Sequence, residues 1–279
     1  MMSVDSSAAF SGPSTVRVEG PAGAIFTYPS SDSLPSRGAV VFVHPINTSG
    51  RVWDGVRGGI RMPSLALDLR GHGSSTLSGP FSIDDWVADV QAAMDEHGVR
   101  SAHFVGGSAG GMISAALATE EPERVLSIAA FGSTLGTGLG SVVIEEMVRE
   151  LEVAGSAAYF AKITPEVLGP AYRSPAVLRR ALDAIGIRPV PVVSDILRSA
   201  FGADIRDRAP QVGCPVLAVA GTLDPTCPVE MSVEFAEATG GAHQTIEGAG
   251  HLPMLEVPDQ VVRALNAFWG TATELTEPQ

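Results

Sequence analysis

Basic residues are scarce in this sequence of 279 residues. Lysine occurs once, at Lys162, and the other basic residues are arginines, which we attribute to a composition bias of the source. Eighteen basic residues against 31 acidic ones leave a net charge of −13. A protein of this charge repels phosphate backbones and anionic lipids. We therefore expect no nucleic-acid partner and no membrane partner.

Long apolar runs and cysteines are also few. No apolar run reaches the ~20 residues that a membrane-spanning helix needs. The first residues, 1–13, have no basic start and no apolar core of signal-peptide length, so we expect a soluble, cytoplasmic protein. The two cysteines, Cys214 and Cys227, flank a predicted strand that holds them too far apart for a disulfide. We expect both to be free thiols.

What the sequence does contain is an alternation of strand and helix patterns. Two short strands are predicted first, at 16–18 and 24–28, around a Gly-Pro turn. Apolar, β-branched runs typical of strands buried on both faces follow at 39–43, 64–68, 102–105, 125–130 and 215–220, with a weaker one at 242–246. Helices are predicted from a capping box at Ser82 and Asp85 to Gly98, over 109–119 and over 258–269.

The alternation is interrupted once, between the fourth and fifth of these buried runs. Four short helices punctuated by prolines are predicted there, at 141–153, 156–163, 175–185 and 192–200. A connection this long is rarely an empty loop. We predict an α/β fold: a mainly parallel twisted sheet flanked by helices, with an inserted helical lid at 133–213. The core is predicted to span 14–132 and 214–270, with tails at 1–13 and 271–279.

The clearest chemical motif is a Gly-x-Ser-x-Gly sequence at 106–110, directly after a predicted strand and before a predicted helix. This context is typical of a nucleophile elbow, in which Ser108 is presented at a helix N-terminus. The alternative is a glycine-rich turn that only allows close packing.

A serine hydroxyl needs a base, and the base needs an acid that orients it. Asp224 follows the fifth buried run, and His251 lies in a loop after the last strand. The rival acid position, after the fourth buried run, has no carboxylate. Asp224, which precedes a proline, can also be a simple turn former, and His251 an ordinary loop histidine.

The chain resembles the α/β-hydrolase fold superfamily over residues 15–270. The resemblance is carried by the segments 41–45, 68–74, 106–110, 221–224 and 250–251. It implies that Ser108 is the nucleophile, that His251 is the general base and then acid, and that Asp224 fixes the tautomer of His251. It also implies that Arg70 and His72 are structural and tie loops together.

The resemblance further implies an oxyanion hole formed by the backbone N–H groups of Ala109 and Ile46. The family often has glycine after the histidine of this loop, whereas here the sequence is His44-Pro45-Ile46. Proline has no N–H, but the donor position corresponds to Ile46, which has one. We favour a bracing role for His44 over a catalytic one.

The sequence gives less information about the substrate than about the catalytic residues. The stretch Arg51-Val52-Trp53-Asp54 is similar to that of lactonases, including 3-oxoadipate enol-lactonases. Asn47, Arg51 and Trp53 are therefore candidate substrate contacts, although exposed loop residues are the commoner case. The predicted lid is rich in apolar residues, among them Tyr159, Phe160, Tyr172 and Phe201, which line an apolar pocket or form the core of the lid.

These features predict a serine hydrolase of a small carboxylic ester or lactone that works through an acyl-enzyme. Two alternatives keep the fold: a C–C bond hydrolase or cofactor-free haloperoxidase with the same triad, and a small-ligand sensor. We find no phosphate-binding glycine loop in the required context and no metal-ligand spacing, so we expect no cofactor and no metal. A monomer or homodimer that binds a small-molecule substrate is expected.

Overall fold

The computed structural model describes residues 15–276 of the chain, with side chains as far as residue 270. The described residues contain a sheet of eight strands: β1 (Val16–Gly20), β2 (Gly23–Pro29), β3 (Arg37–Val43), β4 (Ser64–Asp68), β5 (Ser101–Gly107), β6 (Val125–Phe131), β7 (Val216–Gly221) and β8 (Ala242–Ile246). The strand order is β1-β2-β4-β3-β5-β6-β7-β8. Pairing is antiparallel from β1 to β4 and parallel from β4 to β8.

Helices connect the strands and cover the sheet. They are α1 (Asp54–Arg57), α2 (Ile83–Glu96), α3 (Ala109–Glu120), α4 (Ser141–Ala154), α5 (Ser156–Val167), α6 (Pro175–Ile185), α7 (Val190–Gly202), α8 (Val229–Thr239), α9 (Pro253–Glu256) and α10 (Pro258–Thr276). The predicted α/β fold with a mainly parallel sheet is confirmed. Helices α4 to α7 lie between β6 and β7, within the stretch where a lid is predicted, and we call residues 133–213 the helical insertion.

Two parts of the chain differ from the prediction. Helix α8, between β7 and β8, is not predicted, because its buried positions are Ser232, Phe235, Ala236 and Thr239, only one of them a large apolar residue. Helix α10 continues to Thr276, beyond the predicted core limit at 270. The predicted N-terminal tail lies outside the described residues, as do 277–279.

Two apolar cores, one on each face of the sheet, fix the helices. On one face Trp86 of α2 and Ile113 of α3 are fully buried in a common cluster. On the other face Trp53 packs against Phe42 of β3, and Leu265 of α10 belongs to the same cluster. Burial of each such side chain contributes about 1.5–3 kcal/mol to stability, so the sheet is a rigid support for its loops.

The carboxyl ends of the central strands meet at one edge of the sheet. In the parallel register Val43 of β3 pairs with Gly106 of β5, and Gly107 pairs with Phe131 of β6. Strand β7 continues this edge beside β6, since Phe131 pairs with Val219. The loops that follow β3, β5, β7 and β8 therefore come together, and they carry all the predicted site residues. In open α/β sheets this edge is where ligands bind.

Candidate active site

Ser108 occupies a strained turn between β5 and α3. Its backbone has φ 51° and ψ −122°, a left-handed region that non-glycine residues rarely adopt. Such a conformation costs about 1–3 kcal/mol and persists where the surroundings hold it. Here the Ser108 N–H donates to the Phe131 carbonyl at 2.9 Å, and the Gly111 N–H donates to the Ser108 carbonyl at 3.0 Å.

The glycines two residues on either side of Ser108 allow this turn to close. A Cβ atom on Gly106 would overlap the backbone of Gly110, and a Cβ on Gly110 would overlap the carbonyl oxygen of Val43. Both glycines are therefore required by close backbone approach. The spacing seen in the sequence has a direct steric cause, and it places the Ser108 side chain at the edge of the sheet.

His251 and Asp224 form a buried hydrogen-bonded pair. The distance from His251 Nδ1 to Asp224 Oδ2 is 2.9 Å. The other carboxylate oxygen of Asp224 accepts from the backbone N–H groups of Thr226 and Cys227, at 2.8 and 2.9 Å, which fixes the plane of the carboxylate. Burial opposes protonation of His251, but the charge of Asp224 and its hydrogen bond outweigh burial and raise the pKa of His251.

The loop around His251 is held by Glu256, a residue that the sequence did not single out. The Glu256 carboxylate is buried and accepts from the backbone N–H groups of Gly250 and Leu252, at 2.8 and 3.0 Å, on either side of His251. It also accepts from the Gly169 N–H, just after α5, at 2.9 Å. The only sequence signal is a carboxylate within an apolar stretch. Glu256 thus attaches the helical insertion to the histidine loop.

Replacing Glu256 with glutamine is expected to lower the pKa of His251, because the charge of Glu256 raises that pKa. In the base role that the family resemblance implies for His251, only the unprotonated ring accepts a proton, so the acid limb of the kcat/KM profile for hydrolysis is expected to move to lower pH. The amide NH2 also faces backbone N–H donors, and one lost buried acceptor costs about 1–3 kcal/mol. Kinetics from pH 4 to 9 (roughly the range over which histidine titrates) and thermal unfolding would measure both effects. An unshifted acid limb in a folded variant would contradict this role.

His44 braces the loop after β3. Its Nδ1 lies 2.8 Å from the Pro45 carbonyl, and its Nε2 accepts from the Leu69 N–H at 3.1 Å. The first contact needs an N–H on Nδ1 and the second a lone pair on Nε2, so the ring is neutral. Burial agrees with this and lowers the pKa of His44 to about 4. His44 does not border the cavity described below.

A cavity of about 340 Å³ lies above the edge of the sheet, between the strand loops and the helical insertion. Ile46, Asn47, Ser108 and His251 border it from the loops. The insertion contributes mostly apolar side chains, namely Met147, Tyr159, Phe160, Ile163, Ile185, Leu197 and Phe201. Of the aromatic residues predicted in the lid, Tyr172 does not border the cavity and packs against the core. The cavity accommodates a small, largely apolar molecule with a few polar groups.

A second, smaller space adjoins Ser108. It measures about 20 Å³ and is bordered by Ile46, Ser108 and Ala109. The backbone N–H groups of Ile46 and Ala109 donate to no other group among the described residues. Ala109 is the first residue of α3, where helical N–H groups have no partner within the helix. The space is about the size of one water molecule or one oxygen atom.

The structure corrects the predicted substrate contacts of Arg51 and Trp53. Trp53 is fully buried against Phe42 and does not border the cavity, so it is a core residue. The Arg51 guanidinium lies 4.6 Å from the ring centroid of Tyr28, on the outside of the domain, and also does not border the cavity. Of the three predicted contacts, Asn47 alone faces the cavity.

Arg70 joins two segments of the core. Its guanidinium forms a buried ion pair with Asp89 of α2 at 2.7 Å and a second with Asp85 at 3.2 Å. The ring of His72 lies 4.9 Å from that of His44, and its Nδ1 lies 2.9 Å from the Arg70 carbonyl. Both contacts match the predicted structural roles of Arg70 and His72.

Some site types are not present in the described part of the chain. Within residues 15–270 there is no cluster of three or more His, Cys, Asp or Glu side chains that could bind a metal. No helix within the described range is long and apolar enough to cross a membrane. Cys214 and Cys227 are both free thiols, as predicted, and Cys227 borders the smaller space beside Ser108.

Several known proteins are similar to this chain in sequence. A family model described as the alpha/beta hydrolase family matches residues 40–264. The 3-oxoadipate enol-lactonase 2 of Acinetobacter baylyi is 28% identical over 210 residues, which cover 73% of this chain and 77% of the relative. The pimeloyl-(acyl-carrier protein) methyl ester esterase of Aeromonas hydrophila is 24% identical over 83% of this chain and 95% of its own length.

Solved structures agree in fold. The enol-lactonase from Burkholderia xenovorans LB400 has a TM-score of 0.84 at 22% identity, covering 91% of this chain and 100% of that one. The likeness at this identity concerns the fold, and the family model spans most of the sheet and the helical insertion. The resemblance predicted from the sequence motifs is confirmed: the chain belongs to the alpha/beta hydrolase family.

Proposed function

We propose that the protein hydrolyses a small carboxylic ester or lactone through an acyl-enzyme formed on Ser108. The observation that carries this proposal is the shared cavity of Ser108 and His251, with Asp224 bonded to the far side of the imidazole. The relatives named as an enol-lactonase and a methyl ester esterase agree with a carboxylic ester bond as the target. No step requires a cofactor.

The reaction begins when Ser108 Oγ attacks the carbonyl carbon while His251 Nε2 takes its proton. Asp224 holds the proton on Nδ1, so that Nε2 is free to accept. The carbonyl oxygen becomes an oxyanion in the smaller space, where the N–H groups of Ala109 and Ile46 stabilise it.

The tetrahedral intermediate then collapses to the acyl-enzyme, which breaks the ester C–O bond, and attack by water afterwards regenerates Ser108. His251 gives its proton to the leaving oxygen, which departs as the alcohol or, for a lactone, stays attached as a hydroxyl of the opened chain. A water molecule then donates a proton to His251 and attacks the carbonyl carbon of the acyl-enzyme. The tetrahedral intermediate that forms collapses, His251 returns the proton to Ser108 Oγ, and the acid is released. The helical insertion covers the cavity in the manner of a lid and limits the water around this chemistry.

The test is a hydrolysis assay on short-chain esters and on five- and six-membered lactones, together with labelling by a fluorophosphonate probe. We expect turnover of at least one class and a phosphonyl adduct on the peptide that contains Ser108. The ratio of ester to lactone turnover would define the substrate type. Labelling without turnover of either class would overturn the proposal and favour C–C cleavage or ligand sensing.

A further inference from the structure

Arg188 of the helical insertion lies buried against the loop that carries Ile46 and Asn47. It follows α6 and is 5% exposed. One guanidinium nitrogen, Nη1, donates to the Gly71 carbonyl at 2.8 Å, and Nη2 donates to Asn47 Oδ1 at 2.9 Å. The main chain of Arg188 is fixed as well, because the Ser156 hydroxyl donates to its carbonyl at 2.6 Å. Arg188 therefore connects the insertion to the rim of the cavity.

The hydrogen bond from Arg188 fixes the orientation of the Asn47 side-chain amide. A guanidinium can only donate hydrogen bonds, so the amide oxygen must face Arg188 and the amide nitrogen must face away. Asn47 borders the cavity, and its Nδ2 has no partner among the described residues. The backbone of Asn47 has φ 63°, a left-handed conformation that asparagine tolerates better than most residues. An N–H2 donor is thus presented to the cavity, next to Ile46.

The charge of Arg188 has no counter-ion in the described part of the chain. None of the ion pairs there includes Arg188, and its Nε atom is buried without a hydrogen-bond partner. Burial lowers the pKa of Arg188 to about 10, so the side chain stays protonated at neutral pH. A buried charge without a counter-ion is costly even when it donates hydrogen bonds, and a bound anion would reduce that cost.

Two glutamates also border the cavity, but they lie at its exposed mouth. The Glu150 carboxylate pairs with Lys162, and both side chains are well exposed. Glu166 is exposed on α5. Water and salt screen exposed charges far more than buried ones. Arg188 does not itself border the cavity and reaches it through Asn47, but its buried charge is screened less than these exposed carboxylates.

We propose that Asn47 and Arg188 form a subsite for a carboxylate on the substrate, with Asn47 Nδ2 as the direct donor and Arg188 as the charge behind it. The inference rests on the proposed function, and it narrows the substrate to an ester or lactone that also carries a free carboxylate. Such a group would bind beside the oxyanion position, because Asn47 directly follows Ile46. A hydrogen bond to a charged group changes affinity by about ten- to hundredfold.

Matched substrates test this subsite. Monomethyl glutarate carries the carboxylate, dimethyl glutarate keeps its acceptor oxygens without the charge, and methyl pentanoate has neither. We expect kcat/KM for monomethyl glutarate to exceed that for the two neutral esters by about tenfold or more. In Arg188→Gln and Asn47→Asp this preference should disappear, while Arg188→Lys should keep part of it.

The variants are chosen so that misfolding does not decide the outcome. Asn47→Asp keeps the shape of the side chain, is tolerated at positive φ, and still accepts from Arg188, but it supplies an anion of its own. Arg179→Gln changes an exposed arginine of α6 and serves as the matched control, with an unchanged preference. Melting temperatures of all variants would identify any that do not fold.

Binding to Ser108→Ala separates the subsite from the reaction. We expect monomethyl glutarate to raise the melting temperature of this variant more than dimethyl glutarate does, and Asn47→Asp to remove the difference. Turnover of neutral esters without a preference for the charged one would overturn the subsite and leave the proposed function intact. Selective stabilisation without any turnover would support the subsite and overturn the proposed function. Absence of both the selective stabilisation and the preference would overturn the subsite.

Discussion

Replacing Ser108 with alanine is expected to lower kcat for ester or lactone hydrolysis by about 10⁴- to 10⁶-fold. In the proposed mechanism the Ser108 oxygen bonds to the substrate, and alanine supplies no nucleophile at this position. Alanine keeps a Cβ, so the strained backbone at φ 51° is unchanged and the fold should be retained. Initial rates on the best substrate of the panel, at saturating concentration, would measure the loss.

The matched control for this variant is Ser33→Ala, which removes a hydroxyl from a loop far from the cavity. It should keep the native rate. Ser108→Ala should still bind substrate, because the cavity walls and the two oxyanion N–H groups are untouched. A Ser108→Ala protein with more than about one per cent of native kcat, against a loss of several orders of magnitude in comparable enzymes, would exclude the acyl-enzyme.

The central strands and the elbow could be predicted from sequence because their causes are local. Continuous apolar runs have few alternatives to a doubly covered parallel sheet, and five such runs became strands β3 to β7. The weaker run at 242–246 became the mostly exposed edge strand β8. Gly106 and Gly110 belong to one five-residue motif, and both are required because other backbone atoms approach their Cα atoms closely. The predicted disposition of Asp224 and His251 follows from the same logic, since both come directly after strands that end at one edge.

Side-chain direction in the loop after β3 could not be predicted, and Arg51 and Trp53 show why. The chain from 50 to 53 forms a helical turn, anchored by a hydrogen bond from the Gly50 N–H to Asp68 Oδ1 at 2.8 Å. That turn directs Trp53 into the core and Arg51 outward, although Asn47, a few residues earlier, faces the cavity. Proximity in sequence to Ile46 and Asn47 therefore did not imply proximity to the cavity.

Glu256 and Arg188 were missed for a different reason: each joins segments that are distant in sequence. Glu256 contacts Gly169, and Arg188 contacts Gly71 and Asn47, across 87, 117 and 141 residues respectively. When a single charged residue stands in an apolar stretch, the neighbouring sequence does not indicate whether its side chain is buried in hydrogen bonds or exposed to solvent. Only the folded chain shows that Glu256 and Arg188 join the helical insertion to the loops that carry His251 and Asn47.

Replacing Asp224 with asparagine is expected to lower kcat by about 10⁴-fold, the loss known for the equivalent change in a serine protease. Oδ1 of Asp224 accepts from the N–H groups of Thr226 and Cys227, so an asparagine would turn its oxygen to them and its NH2 to His251. His251 Nδ1 would then accept instead of donate, and its proton would move to Nε2, the atom that must take the proton of Ser108. The matched control is Asp195→Asn, on the exposed side of α7.

The pH dependence distinguishes this tautomer defect from a change in pKa. Removal of the Asp224 charge also lowers the pKa of His251, since that charge raises it, so the acid limb moves to lower pH. The plateau of kcat above this acid limb should nevertheless stay low, because the neutral imidazole of the variant carries its proton on Nε2 and cannot accept the proton of Ser108 there. Glu256→Gln shifts the limb without this tautomer change and should lose far less of its plateau. Recovery of Asp224→Asn to within tenfold of native kcat at high pH, against the ~10⁴-fold loss expected, would mean that Asp224 supplies charge alone.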